Sequence, residues 1–60
     1  MIITICYDHK TAGYKEKYFN DFDKGKKIFK GYRKNKDIVS AEIYLNGNCI
    51  DDFCKKRERV

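Results

Sequence analysis

The sequence predicts an α+β domain with the element order β-β-α-β-β, in which a four-stranded, mainly antiparallel sheet carries one helix on one face. Three features predict it. Apolar residues alternate with polar ones near both ends of the chain, as in half-buried strands. A stripe of helical period, with capping residues, occupies the middle. An Asn-Gly pair separates two alternating runs near the C-terminus. The 60 residues make one domain, 1–60, with 55–60 expected as a frayed basic tail.

The first strand is Ile2 to Tyr7, where β-branched residues alternate with Thr4 and Cys6. Asp8 to Gly13 is polar and ends in glycine, so it reads as a turn. Tyr14 to Phe19 alternates aromatic and charged residues and is expected to return as the second strand of a hairpin. The helix follows. Asn20 suits the N-cap, and Asp21 and Asp23 lie in the first turn, where the helix dipole favours negative charge. Phe22, Gly25, Ile28, Phe29 and Tyr32 fall on one arc of the helical wheel. Gly25 lies inside that arc, where it permits close approach to the sheet. Gly31 lies on the solvent side and weakens the helix by about 1 kcal/mol relative to alanine. Lys30, Arg33 and Lys34 suit the C-terminal end, and Asn35 is the expected C′ residue. A rival helix starting at Tyr14 would put Phe19 on the polar face and Asp21 on the apolar one, and would leave the capping residues without a role.

Asp37 to Leu45 is the third strand, with Val39, Ala41, Ile43 and Leu45 on one face and Ser40, Glu42 and Tyr44 on the other. Asn46-Gly47 demands a type I′ hairpin turn. Asn48 to Cys54 returns as the last strand, with Ile50 expected opposite Ile43.

Five Tyr and four Phe suffice to fill one helix–sheet interface. They do not also build a deep cleft with the ~300 Å³ or more of concavity that small molecules need, so no small-molecule substrate is expected. The start, Met1-Ile2-Ile3-Thr4-Ile5-Cys6, has no basic leader, its apolar run is too short for a signal peptide, and no stretch reaches membrane-spanning length. A cytoplasmic protein without a membrane partner is therefore expected. Three cysteines do not make a disulfide framework and are expected as reduced, buried or half-buried thiols. The net charge of +5 favours acidic partners such as nucleic acid, an anionic surface or an acidic protein patch.

The run Tyr18-Phe19-Asn20-Asp21-Phe22-Asp23-Lys24-Gly25-Lys26-Lys27, followed by Asp37 to Gly47 and Ile50-Asp51-Asp52-Phe53, resembles small accessory proteins of Gram-positive bacteriophages and mobile elements. They are likewise short, with a capped helix feeding a final hairpin. The likeness lies within the stretch from Tyr18 to Phe53. It implies an accessory protein that acts on a host component, and it brings no functional residues with it.

Four kinds of chemistry can be weighed. Lys24, Lys26, Lys27, Lys30, Arg33 and Lys34 fill the helix side opposite the apolar stripe. With Lys55, Lys56, Arg57 and Arg59 they could release counterions from a phosphate backbone, although a lysine-rich helix back is more often simply solvated. The uncovered sheet face, with Tyr44 and part of Tyr14–Phe19, could stack bases, bind a protein or be buried by self-association. A protein partner or a second copy is the favoured reading, with nucleic acid the alternative. Cys6-x-x-His9 and Cys49-x-x-x-x-Cys54 carry zinc-type ligands, but the members of each pair point to opposite faces of a strand, so no metal and no other cofactor is expected. His9, alone in the chain, has no marked third group or oxyanion donor with which to activate Cys6, and the adjacent Asp51 and Asp52 face opposite ways. No enzymatic activity is expected.

Overall fold

The computed structural model describes residues 1–55. Four strands form a single sheet in the order β2-β1-β3-β4, with β1 Ile3–His9, β2 Gly13–Phe19, β3 Ile38–Leu45 and β4 Asn48–Cys54; the helix α1 spans Phe22–Lys34. Every neighbouring pair is antiparallel. β2 and β3 flank β1 and therefore run the same way, a relation that a short loop cannot connect and that the helical crossover supplies. The α+β class, the element order and the hairpin over the first two strands are as the sequence predicts, and the rival helix from Tyr14 does not form.

The first hairpin is longer than the alternation implies. Asp8 pairs with Tyr14 and His9 with Gly13, so the turn tightens to residues 10–12. Gly13 takes a φ of 84° there, a conformation that L side chains rarely adopt. The Asn46-Gly47 turn has φ values of 51° and 88°, as a type I′ turn requires. Asn46 also secures the N-terminus: its side-chain oxygen accepts the Ile2 N–H at 3.0 Å, and its own N–H donates to the Ile2 carbonyl at 2.9 Å.

Both helix ends differ from expectation by a residue or a conformation. The N-cap is Asp21, not Asn20. With the helix starting at Phe22, it is the residue-21 carboxylate that reaches the third helical N–H, that of Lys24, at 3.2 Å. At the other end Asn35 is an extended C-cap with φ −83°, rather than a left-handed C′ residue. The Tyr32 carbonyl accepts the Asn35 N–H and the Asn35 carbonyl that of Ile38, and the ammonium of Lys55, arriving from the end of β4, donates a further hydrogen bond to each.

The core lies between helix and sheet: Ile3, Ile5, Tyr7, Phe29, Ile38, Ala41 and Ile43 are buried, and Phe19, Phe22, Ile28, Tyr32, Leu45 and Phe53 pack around them. Gly25 is the point of closest approach. A Cβ built there would come within 2.8 Å of the Ile3 side chain, which is fully buried. Tyr7 and Tyr32 meet with ring centroids 4.6 Å apart, and Phe29 and Phe53 at 5.3 Å.

Two irregularities overturn details of the predicted strands. The β1–β3 register shifts between Asp8 and His9, so that His9 pairs with Ile38 and Val39 is the extra residue. Ile38 is therefore buried and Val39 only half-buried. The β3–β4 register shifts between Ile43 and Tyr44, so that Ile43 pairs with Asp51 and not with Ile50, which remains 43% exposed. A one-residue slip exchanges the two faces of a strand. Here it turns Phe53 toward the helix and Cys54 away from it, onto the same face as Cys49, so the two thiols do not point to opposite faces as expected.

Candidate binding face

The helix leaves one face of the sheet uncovered, and the register defines what stands there in three rows. The first row runs Tyr18, Thr4, Tyr44, Cys49; the second Glu16, Cys6, Glu42, Asp52; the third Tyr14, Asp8, Ser40, Cys54. Alternation places these side chains opposite the core residues Ile3, Ile5, Tyr7, Ala41 and Ile43. An acidic middle row is thus framed by phenols. Tyr14 and Tyr18 are 64% and 66% exposed and stand along the β2 edge.

The phenols are tied to the acids. Tyr14 and Tyr18 donate their hydroxyls to the two carboxylate oxygens of Glu16 at 2.8 and 2.7 Å, and Tyr44 donates to Glu42 at 2.9 Å. Charge-assisted bonds of this kind stabilise the ionised acid and the neutral phenol. Accordingly the hydroxyl of Tyr18 holds the Glu16 carboxyl below its ordinary range, with that of Tyr14 as the second cause. Tyr18 is raised by Glu16 and Tyr44 by Glu42. Tyr14 is raised further, first by the neighbouring Cys6 sulfur and then by Glu16, whose carboxylate takes the hydroxyl proton. Cys6, Asp8, Tyr14, Ser40, Glu42 and Asp52 line a trough of about 380 Å³ across this face. The trough is larger than a single helix–sheet pair was expected to offer, and it lies on the side away from the helix.

The thiols also depart from expectation. Cys6 is half-buried, but Cys49 and Cys54 are exposed, and all three are free. Cys6 stands on the open face, whereas His9 is on the core side and turns its Nδ1 onto its own loop. It accepts the N–H of Thr11 at 3.2 Å and that of Ala12 at 3.1 Å. Among the described residues no group of three or more His, Cys, Asp or Glu is arranged to hold a metal ion.

The basic residues lie on the other side. Lys24, Lys26, Lys27, Lys30 and Lys34 are exposed on α1, and among the described residues none of them forms an ion pair. Two expected contact residues have local duties. Arg33 pairs with Asp51 at 3.4 Å and lies over the rings of Phe29 and Phe53. Lys55 caps the helix and covers Phe53. Lys56, Arg57 and Arg59 lie outside the described residues. Tyr44 stands on the opposite face from the lysines, so the expected binding residues fall into two separate surfaces. The acidic row was missed by the sequence reading, although Glu16, Glu42 and Asp52 were legible once the strands were in register.

No family model, no curated protein and no solved structure matches this chain. Among the described residues no helix is long and apolar enough to cross a membrane.

Proposed function

We propose that this chain is a small, non-enzymatic protein-binding module whose contact surface is the helix-free sheet face, and that it works as an accessory, host-modulating factor of the phage and mobile-element kind. One observation carries the reading: the uncovered face bears Tyr14, Tyr18 and Tyr44, each with its hydroxyl anchored to a carboxylate. Tyrosine is enriched in protein interfaces. An anchored phenol has already lost part of its rotamer freedom, which lowers the entropy cost of docking. The absence of catalysis is supported by the separation of His9 from Cys6 onto opposite faces and by the use of its Nδ1 in the turn, since nucleophilic catalysis needs the two in contact.

A photo-cross-linking amino acid at Tyr18, compared with the same group at Lys30 on the helix, tests this in cells that make the chain. The reading expects a protein adduct of defined stoichiometry from position 18 and little from position 30. Nucleic acid as the sole adduct, or adducts only from position 30, would overturn it.

The helix lysines, none of which is in an ion pair among the described residues, favour a second reading, nucleic-acid binding through α1 alone. Its mark is a steep loss of affinity with salt and a weakening by Lys26→Glu or Lys30→Glu that is uniform across sequences. The acidic row repels phosphate, so base stacking on the sheet tyrosines does not belong to this reading.

A further inference from the structure

We infer that the helix-free face takes a cationic, arginine-bearing segment of a partner protein; this rests on reading that face as the contact surface. The distribution of charge carries the inference. The chain has 14 Lys and Arg, yet the three rows of the open face contain neither. Asp8, Glu16, Glu42 and Asp52 all stand there, and among the described residues none of them is in an ion pair. Glu42 and Asp52 are directly opposite one another across β3 and β4. Like charges so placed destabilise a sheet, and a single lysine, the residue type that crowds the helix, would remove the repulsion. A cation from outside relieves it on docking.

The rows also favour arginine over lysine. A guanidinium is planar, binds a carboxylate with two hydrogen bonds and lies flat against an aromatic ring. Glu16, Glu42 and Asp52 occupy the middle row and the tyrosines the flanking ones, so a side chain that reaches Glu16 or Glu42 passes a ring. The tyrosine hydroxyl protons are already donated to those acids, which leaves the tyrosines with ring faces and acceptor oxygens, not donors, for a ligand. Nucleic acid is thereby disfavoured. A second copy would offer the lysine ridge of α1, whose one arginine, Arg33, is held by Asp51 and the rings of Phe29 and Phe53, and so lacks the guanidinium that the rows favour.

The test is a titration of the isotope-labelled full chain with blocked hexa-arginine, hexalysine and hexaglutamate peptides and a short DNA duplex, at about 0.15 M salt, where exposed charges are screened beyond roughly 8 Å. The inference expects hexa-arginine to move the amides of Thr4, Cys6, Glu42 and Tyr44, and to bind about two- to fivefold more tightly than hexalysine. Asp52→Lys should raise Tm, because it exchanges a repulsive cross-strand pair for an attractive one, while weakening hexa-arginine by about tenfold or more. Tyr18→Ala should erase the preference for arginine. If hexa-arginine shifts only helix amides, or binds Asp52→Lys unchanged, the inference is overturned. It is equally overturned if hexaglutamate, the duplex or a second copy takes the open face. A protein adduct from position 18 together with silence toward hexa-arginine would sink the cationic occupant and leave the contact-surface reading standing.

Discussion

Glu16 shows what one residue does on the open face. Its two carboxylate oxygens each accept a phenol, from Tyr14 and Tyr18, and its acidity is raised in consequence. A carboxyl with a depressed folded-state value stabilises the fold above its unfolded value, near ~4.3. That contribution disappears as pH falls through the folded-state value. The Glu16 side-chain resonance should therefore titrate with a midpoint below ~4.3, and the double variant Tyr14→Phe/Tyr18→Phe should move the midpoint upward. A midpoint unchanged by loss of both hydroxyls would contradict the assignment. Half-buried Tyr32 is shifted for a different reason. Desolvation, with a smaller contribution from its hydrogen bond to Tyr7, pushes its phenol up to about 12, which marks packing and not a site.

Two glycines measure how the elements fit. A methyl at Gly25 meets the Ile3 side chain at 2.8 Å, and Ile3 has no exposed side on which to yield. A methyl at Gly31 meets nothing within 4 Å. Gly31→Ala should stabilise the chain by about 1 kcal/mol in denaturant unfolding, through helix propensity. Gly25→Ala should destabilise it by about 1–2 kcal/mol, because overpacking outweighs the same gain. Equal effects at the two positions would contradict the packing described. The contrast was legible in the sequence, where the apolar arc already separated the two glycines. The bulges were not read, although the spacing held a signal: Ile50 and Phe53, like Ile38 and Ala41, stand an odd number of residues apart and cannot share a face under strict alternation. Missing the slip at Ile50 hid the exposure of Cys54 and the pairing of Glu42 with Asp52. The cap at Asp21 was obscured because Asn20 and Asp21 are both good N-caps, and only the helix register decides between them.

Across the whole molecule, the net charge of +5 describes neither surface. Among the described residues the lysines gather on the helix layer and carboxylates without an ion pair on the open sheet, so an argument from net charge to acidic partners applies to one side alone. Composition could not reveal this, because the segregation arises from strand register and from the order β2-β1-β3-β4, which brings Glu16 and Glu42 to either side of Cys6. Lys24, Lys26, Lys27, Lys30 and Lys34 stand exposed on the helix, whereas Arg33 and Lys55 serve the fold itself. Carboxyl footprinting addresses the central claim most directly: the Asp and Glu side chains are chemically labelled with and without the protein captured from position 18, and the labelled sites are read by mass spectrometry. The account predicts that Glu42 and Asp52 lose labelling in the complex while Asp23 and Asp37 keep theirs. Unchanged labelling at Glu42 and Asp52, with protection at Asp23 on the helix, would contradict it.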